Sequence, residues 1–434
     1  MEMNDMIIIS VDDHVSEPGD MFDNHLPPEL KDKAPKLKRM NNADYWTYED
    51  MVKPNPALNA VVGRPKEEYG MEPQGYDQIR PGNYDIHARI GDMSVNGILS
   101  SICFPGMADM DGTTFSRAKD RKLAMRMLQA YNDWYLDEWC ATYPGRMIPM
   151  AIVPMWDAEL AAAEVRRMVK KGCHSITFPD NPFAKGFASI HDPFWEPLWK
   201  ACNDNQVVIN CHIGTGSQPP HASDLTPINA WITVMPISVA NAAADWLHLE
   251  ALHRYPDLKV ALSEGSIGWI PYFLERAEFS NDQHIWTNIN WHGRTPTQVF
   301  RDHFLTCFLV DKFGLKNYED IGEDIIMYEN DYPHSDCVWP NAPEFLWDSV
   351  KDLPERVIHK VTHENAMRAY SFDPISILGR ENCTVGALRA QAKDVDTTVR
   401  STPGYKPVNL GGGVITSGDI AKMFAGQTEA VGAD

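Results

Sequence analysis

The stretch of residues 324–336 constrains the fold of this chain more than any other. It begins with an apolar segment, residues 325–328, that indicates a buried strand, and it ends in a polar cluster that contains Asp331 and His334. In (β/α)₈ barrels the catalytic side chains lie at the C-terminal ends of the strands. The stretch therefore predicts a barrel active site, and Asp331 is its first candidate for a metal ligand or a general base.

Short apolar segments alternate with helical patterns along most of the chain, which is typical of a parallel α/β fold. The eight predicted strands cover residues 6–14, 96–105, 147–154, 173–179, 206–212, 257–264, 303–310 and 324–331. Apolar residues at helical spacing between them predict helices, among them 114–143, 158–171 and 231–252. Residues 1–370 are therefore predicted to form an α/β (β/α)₈ TIM barrel.

Two regions depart from this alternation. Residues 20–85 contain repeated prolines with aromatic residues between them, and we interpret them as a long insertion after the first strand, over the barrel mouth. A substrate lid and an oligomer contact are the two functions considered for it. Residues 371–434 predict a C-terminal extension that wraps the barrel or a neighbouring subunit. Both regions favour a homodimer or a larger homo-oligomer.

Composition excludes several classes of partner. The 434 residues carry a formal net charge of −21, which argues against binding of nucleic acid or of an anionic membrane surface. The eight cysteines form no CxxC pair and lie mostly in apolar patterns, which predicts free buried thiols. Neither a signal peptide nor a membrane-spanning segment is recognisable. We therefore expect a soluble cytoplasmic protein whose substrate is a small molecule.

Three predicted strands end in residue types that bind divalent ions. The first ends in Asp12 and His14, which point to the same face because they are two residues apart on a strand. A solvated Asp with a helix-capping His is the alternative for that pair. The fifth strand ends in His212 and the eighth in Asp331. Two imidazoles and two carboxylates suit a borderline ion such as Zn²⁺ or Mn²⁺.

Further residues are candidates for the chemistry around this set. Glu264 ends the sixth strand, where a carboxylate serves as a general acid or base, as the partner of a cationic substrate group, or as a structural cap. Arg89 is a candidate to bind a substrate carboxylate, with an ion pair as its alternative. Trp269 is a candidate for the wall of the substrate pocket, with core packing as its alternative.

From about residue 6 to residue 370 the chain resembles the amidohydrolase superfamily, specifically the amidohydrolase-2 group related to aminocarboxymuconate-semialdehyde decarboxylase. Seven motifs carry the resemblance: Val11-Asp-Asp-His-Val-Ser-Glu-Pro18, Tyr131-Asn-Asp-Trp134, Pro144-Gly-Arg-Met-Ile-Pro149, Tyr255-Pro-Asp-Leu-Lys-Val260, Ser263-Glu-Gly-Ser-Ile-Gly-Trp269, Asn330-Asp-Tyr-Pro-His-Ser335 and His363-Glu-Asn-Ala366.

The resemblance implies one metal ion, held by Asp12, His14, His212 and Asp331. Zn²⁺ is the first choice, with Mn²⁺ or Fe²⁺ as alternatives. A mononuclear site is expected because the fourth strand ends without the Lys that bridges two metals in binuclear relatives. The chain departs from many relatives at Asp12, where they have His, and at Glu264, where they have a His used in acid/base chemistry.

The family contains hydrolases and non-oxidative decarboxylases. Glu264 in place of His favours a mononuclear metal-dependent hydrolase that acts on a small amide, ester or C–C substrate. Asp331 would accept the proton of the attacking water, and Glu264 or His334 would protonate the leaving group, although His334 could instead orient Asp331. The alternative is decarboxylation of an aromatic or unsaturated carboxylic acid, with Asp331 or a nearby acid as proton donor. A non-catalytic binding barrel is the third hypothesis.

Overall fold

The computed structural model of this protein describes residues 1–55, 57–401 and 412–423. Within these ranges the strands are β1 (Ile9–His14), β2 (Lys36–Met40), β3 (Ala43–Tyr48), β4 (Met51–Pro54), β5 (Ser100–Phe104), β6 (Ser175–Thr177), β7 (Val208–His212), β8 (Lys259–Ser263), β9 (Phe304–Phe308) and β10 (Ile326–Tyr328).

The same ranges contain α-helices between and after the strands. They are α1 (Pro28–Lys31), α2 (Ile86–Val95), α3 (Arg121–Trp134), α4 (Ala158–Val169), α5 (Glu196–Asp204), α6 (Ile228–Val234), α7 (Val239–Leu247), α8 (Ala251–Arg254), α9 (Ile270–Gln283), α10 (Pro296–His303), α11 (Lys312–Lys316), α12 (Tyr318–Ile321), α13 (Ala342–Val350), α14 (Glu355–His359), α15 (Asn365–Ala369), α16 (Pro374–Leu378) and α17 (Val385–Gln391). Single π-helical segments continue α3 at Tyr135–Cys140 and α14 at Lys360–Glu364.

Parallel pairing organises the strands that alternate with helices. The strands β6 to β10 form one parallel sheet in chain order, and β1 pairs in parallel with β5. Isolated parallel bridges join these two sheets, since Ser101 of β5 pairs with Met147 and Ala151 pairs with Ile176 of β6. The chain is therefore an α/β protein with parallel sheets, as the alternation predicts.

Hydrogen bonds also join the end of β1 to the segment that follows β10. The backbone N–H of Asp331 donates to the carbonyl oxygen of Asp12 over 2.8 Å, and that of His14 donates to the carbonyl oxygen of Tyr332 over 2.7 Å. The first and the last parallel strands therefore lie side by side at their carboxyl ends.

The structure interrupts two of the predicted elements. Over residues 147–154 the described chain forms only the two isolated bridges, and Pro149 and Pro154 lack the backbone N–H that a continuous strand ladder requires. The helix predicted over 231–252 is divided into α6, a 3₁₀ turn at Pro236–Ser238, α7 and α8. Pro236 explains the first division, because its ring clashes with the preceding helical turn.

The insertion between β1 and α2 has a sheet of its own. The strands β2, β3 and β4 form an antiparallel meander in that order. Trp46 and Tyr48 of β3 are buried in the main hydrophobic core. The backbone N–H of Val61 donates to the carbonyl oxygen of Pro333 over 3.0 Å, which attaches the insertion to the segment after β10.

The C-terminal region packs along the rest of the chain. Helix α17 contacts α2, and the backbone N–H of Arg400 donates to the carbonyl oxygen of Gly63 in the insertion over 2.9 Å. Thr416 forms an antiparallel bridge with Pro227. Residues 402–411 and 424–434 of the predicted extension lie outside the described residues.

Burial agrees with the predicted state of the cysteines. All eight are free and seven of them are buried, in line with the apolar patterns in which they lie. Across residues 1–55, 57–401 and 412–423, none of the helices combines the length and the apolar character needed to cross a bilayer.

Candidate metal centre

The four predicted metal ligands meet at the carboxyl ends of the parallel strands. The ligand atoms of Asp12, His14 and His212 lie within 4.8 Å of one another, and so do those of His14, Glu264 and Asp331. These side chains come from β1, the end of β7, the residue after β8 and the segment after β10. Residues that are far apart in the chain therefore form one cluster.

Strand β1 contributes two of these side chains because alternate residues of a strand share a face. Asp13, between Asp12 and His14, has a different role. Its carboxylate accepts hydrogen bonds from the Ser10 hydroxyl over 3.1 Å and from the backbone N–H of Tyr332 over 2.9 Å. Asp13 therefore fastens β1 to the segment after β10 and does not face the cluster.

The tautomer of His212 follows from its hydrogen bond. Its Nδ1 lies 2.7 Å from the carbonyl oxygen of Ile213, which can only accept, so Nδ1 carries the hydrogen. Burial lowers the pKa of His212 to about 3, so the ring is neutral and Nε2 presents its lone pair. This Nε2 lies 3.1 Å from Glu264 Oε2 and 3.6 Å from Asp12 Oδ2. An unprotonated imidazole nitrogen thus faces two carboxylates.

Asp331 lies between two imidazoles. Its Oδ1 is 2.9 Å from His14 Nε2, and its Oδ2 is 3.1 Å from His334 Nδ1. Burial opposes the ionisation of Asp331, but His334 and His14 hold the pKa of its carboxyl well below the usual range. Burial likewise opposes the charge on His334, yet Asp331 and Glu264 raise the pKa of His334 to about 10.

These donor atoms fit a divalent cation. Both carboxylate oxygens of Asp12 and the Nε2 of His212 are buried, and no described residue offers any of them a hydrogen bond. Burial, together with the charges of Glu329, Asp331 and others, raises the pKa of Asp12 well above its usual value. Lone pairs and negative charges that converge in a buried place favour a positive ion there. Imidazole with carboxylate suits Zn²⁺ or Mn²⁺.

Two residues of the cluster have strained backbones. Asp331 and Glu264 have φ angles of 56° and 59°. This left-handed conformation costs a residue with a Cβ roughly 1–2 kcal/mol, and such residues are concentrated at functional sites. Glu264 directly follows β8 and Asp331 lies three residues after β10, and both carboxylates belong to the cluster.

Glu329 belongs to this centre although the sequence analysis did not select it. Its Oε2 accepts a hydrogen bond from the backbone N–H of Glu264 over 3.0 Å and one from the Cys307 thiol over 2.6 Å. Burial raises the pKa of Glu329 to about 7. Its spacing of two residues from Asp331 was a signal that could have identified it, since both would share a strand face.

The two predicted substrate-binding residues, Arg89 and Trp269, both have their polar atoms engaged by the protein. Arg89 is fully buried behind β1, where its guanidinium donates to the carbonyl oxygens of Gly82 and His14 and stacks on the ring of Tyr332. With this geometry Arg89 supports the backbone of His14, and its Nη1 lies 3.8 Å from Asp13 Oδ2, the ion pair that was the alternative to substrate binding. Trp269 donates from its indole N–H to the carbonyl oxygens of Gly265 and Ser266 just before α9, and its role in a pocket wall stays a prediction.

A cavity of about 230 Å³ opens beside His14. Its wall combines the insertion, the loop after β5 and the loops after β6 and β7, through residues that include Trp46, Lys53, Asp109, Asp111, Lys185 and Thr215. This volume is below the usual range of drug-sized pockets and suits a ligand with a single ring. A larger cavity of about 580 Å³ lies between α7 and α9 and includes none of the clustered ligands.

Comparisons with known proteins identify the family and the fold of the chain. The family model Amidohydro_2, described as "Amidohydrolase", matches residues 25–372. The match begins after β1 and therefore does not include Asp12 and His14. Gamma-resorcylate decarboxylase of Rhizobium sp. (strain MTP-10005) is 23% identical over 275 residues, which cover 58% of this chain and 79% of that protein.

Solved structures share the fold. An amidohydrolase of Mycobacterium avium subsp. paratuberculosis K-10 aligns with a TM-score of 0.63 and 18% identity, over 84% of this chain and 98% of its own. A 5-carboxyvanillate decarboxylase of Novosphingobium aromaticivorans DSM 12444 aligns with a TM-score of 0.58 and 17% identity, over 84% and 97%. The latter was solved with manganese and 3-methoxy-4-hydroxy-5-nitrobenzoic acid bound.

Proposed function

Because this chain belongs to the amidohydrolase family, we propose that it is a metal-dependent, non-oxidative decarboxylase of a hydroxylated aromatic carboxylic acid. The observation that carries this proposal is the buried ligand set, in which both carboxylate oxygens of Asp12 and the Nε2 of His212 have no donor among the described residues. The similarity to decarboxylases of aromatic acids supports the reaction class. The sequence alone favoured a hydrolase, and these relatives favour the alternative instead.

We also infer that the parallel strands close into a (β/α)₈ barrel. The two bridges at Met147 and Ala151 supply the third strand position. The hydrogen bonds from Asp331 to Asp12 and from His14 to Tyr332 join the last position to the first. Eight strand positions with helices between them are the number that such a barrel requires. The cluster then lies at the carboxyl end, which is the catalytic end of these barrels.

Asp12, His14, His212 and Asp331 would hold one divalent ion. When bound, the ion supplies a positive charge that attracts the substrate carboxylate and the neighbouring oxygen and withdraws electrons from the ring. Mn²⁺ is the first ion to test, since manganese is bound in a protein of the same fold. The neutral His212, fixed by the carbonyl of Ile213, keeps its Nε2 directed at this position.

The side chains of this site would then supply the one proton that the reaction consumes. In decarboxylation the bond between the ring carbon and the carboxylate breaks, its electron pair stays on the ring carbon, CO₂ leaves, and that carbon takes up one proton. At rest Asp331 is ionised and the proton is held by His334, whose Nδ1 lies 3.1 Å away. We assign to His334 the transfer of this proton through Asp331 to the ring carbon, and its own reprotonation from solvent, to which its side chain is 19% exposed. Glu264 borders the same space through its contact with His212.

The test is a direct assay of the metal-loaded protein. The chelator-treated chain is reloaded with Mn²⁺ or Zn²⁺ and incubated with γ-resorcylate, with 5-carboxyvanillate and with a set of aryl esters and amides. We expect manganese-dependent CO₂ release and the decarboxylated phenol from at least one aromatic acid, and no release by His212→Ala. Hydrolysis of an ester or amide without CO₂ release from any acid would overturn the proposal in favour of a hydrolase.

A further inference from the structure

Two lysines in the wall of the cavity bear on which substrate the site binds. Lys53, on strand β4 of the insertion, and Lys185, in the turn at Pro182–Lys185 after β6, both line the cavity that opens beside His14. They come from separate segments and converge on the same loop after β5. Neither lysine could be selected from a sequence pattern, because their proximity depends on how the insertion folds back.

Each lysine is held in place by an aspartate of that loop. The Lys53 ammonium donates to Asp109 Oδ1 and, over 2.6 Å, to the carbonyl oxygen of Gly106. The Lys185 ammonium donates to Asp111 Oδ2, and Asp111 is fully buried. Asp109 is itself fixed by a 2.9 Å hydrogen bond from the Thr114 hydroxyl. Both ammonium groups are therefore oriented before any ligand arrives.

These bonds leave hydrogens available to a ligand. An ammonium group has three N–H donors, and the described residues engage two on Lys53 and one on Lys185. The side chains of Lys53 and Lys185 are 27% and 20% exposed, so the unused donors are accessible from the cavity. Charge-assisted hydrogen bonds from ammonium to carboxylate are about twice as strong as neutral ones.

We propose that Lys53 and Lys185 bind a second carboxylate of the substrate, so that the substrate class is aromatic dicarboxylic acids with a hydroxyl next to the carboxylate that is lost. This inference rests on the proposed function, since it takes the other carboxylate to lie at the metal centre. The two lysines are specificity-determining residues, and they take no part in breaking the C–C bond.

A matched pair of inert ligands tests this assignment. In 4-hydroxy-3-methoxy-5-nitrobenzoic acid the nitro group replaces the carboxylate that would leave, and the ring carboxylate of the molecule is the second carboxylate. In 2-methoxy-6-nitrophenol that carboxylate is absent, and the ring with its hydroxyl, methoxy and nitro groups is unchanged. Binding of both to the manganese-loaded protein is measured by titration calorimetry, for the parent chain and for Lys53→Met and Lys185→Met.

We expect the parent chain to bind the benzoate roughly tenfold more tightly than the phenol, which is the size of one charge-assisted hydrogen bond. Each Lys→Met variant should reduce this ratio toward one while its affinity for the phenol stays within about twofold. The control is Lys171→Met, because Lys171 is 28% exposed and paired with Asp133 and Asp137 but lies outside the cavity wall. That variant should keep the parental ratio.

Two results would overturn the inference in different ways. If both ligands bind only with manganese and the ratio is the same in every variant, the lysines only close the insertion onto the loop. If neither ligand shows manganese-dependent binding, the proposed function fails with it. Where a Met variant does not fold, Lys53→Gln or Lys185→Gln keeps a donor for the aspartate, and a parental ratio in that variant contradicts the assignment.

Discussion

Two acidic regions of the molecule differ in how their charge is balanced: the strand-end cluster, which contacts the cavity through His14, and the cavity wall that contains Asp109 and Asp111. At the strand ends, Asp12 and Glu264 are crowded by further carboxylates, and burial with this repulsion raises the pKa of both. On the opposite wall, burial is outweighed by Lys53, Lys185 and Arg117, which lower the pKa of Asp109 to about 2. The first region needs a positive charge from outside the chain, whereas the second contains its own.

This difference in charge balance indicates that the two regions have different functions. A region with unbalanced buried carboxylates is stable only when protonated or when a cation is bound. A region whose carboxylates are already paired stays ordered without a ligand and can present its remaining donors in a fixed geometry. We therefore assign chemistry to the strand ends and recognition to the wall that the insertion completes.

The largest expected effect comes from removing a ligand of the strand-end region. His212→Ala and Asp331→Asn should each lower Mn²⁺ affinity by at least about 100-fold, more than the loss usually seen for residues that only orient a ligand. Equilibrium dialysis with metal analysis measures this, and the parent chain should bind about one equivalent. The matched control is His303→Ala, because His303 is a buried histidine whose Nδ1 donates to the carbonyl oxygen of Leu258 and which lies outside the cluster. Equal metal content in all four proteins would contradict the assignment.

Metal should also stabilise one region and not the other. With free Mn²⁺ at about 100 times its dissociation constant, binding to the native state alone adds about 2.7 kcal/mol to the free energy of unfolding. Thermal melts with and without Mn²⁺ measure this gain. It should vanish in His212→Ala and persist in Lys53→Met, because Lys53 does not belong to the ligand set. A gain that also vanishes in Lys53→Met would mean that the two regions are not separate.

Glu329 offers a finer test of the strand-end region. Glu329→Gln keeps the shape of the side chain but removes a charge next to Asp12 and weakens its hold on the strained backbone of Glu264. We expect Mn²⁺ affinity to fall about 10-fold to 100-fold, as for residues that orient a metal ligand. Cys307→Ser is the control, since a hydroxyl keeps the hydrogen bond to Glu329. Unchanged affinity in Glu329→Gln would show that this carboxylate only fills space.

The smallest expected effect concerns the ion pair of Lys53 with Asp109 in the cavity wall and its contribution to stability. Asp109 has a lowered pKa in the folded chain, so its ionisation stabilises the fold at pH values above the unfolded pKa near 4, and this contribution disappears as the pH falls toward 2. Lys53→Met should therefore cost about 1–2 kcal/mol near pH 7, after discounting for the 24% exposure of Asp109. Urea unfolding from pH 7 to pH 3 measures it. The difference from the parent chain should shrink below pH 4, and a constant difference would contradict the pairing.

The strand-end residues could be predicted because local rules identify them. An apolar strand that ends in Asp or His directs those side chains to one edge of a parallel sheet, wherever the strand lies in the chain. Asp12, His14, His212 and Asp331 were selected on this basis and lie together in the structure. The predicted strand over 147–154 was not formed in the described chain, since Pro149 and Pro154 outweigh its apolar character.

Arg89 shows where such local rules stop. Its position before the second strand was compatible with substrate binding, but the fold turns its guanidinium toward the carbonyl oxygens behind β1. Whether an arginine faces a cavity or supports a backbone depends on the direction of its helix relative to the sheet. That direction is set by packing and is not encoded in spacing along the chain.

The sequence by itself determined the α/β class, the free cysteines and the four side chains that converge at the strand ends, because each follows from periodicity and residue type over a few neighbours. Only the tertiary structure decided that Glu329 accepts a hydrogen bond from the backbone of Glu264. It also decided that Lys53, Lys185 and the loop after β5 form one wall. Those contacts join segments more than 50 residues apart. Their formation depends on how the insertion folds back over the sheet, which no local pattern in the chain specifies.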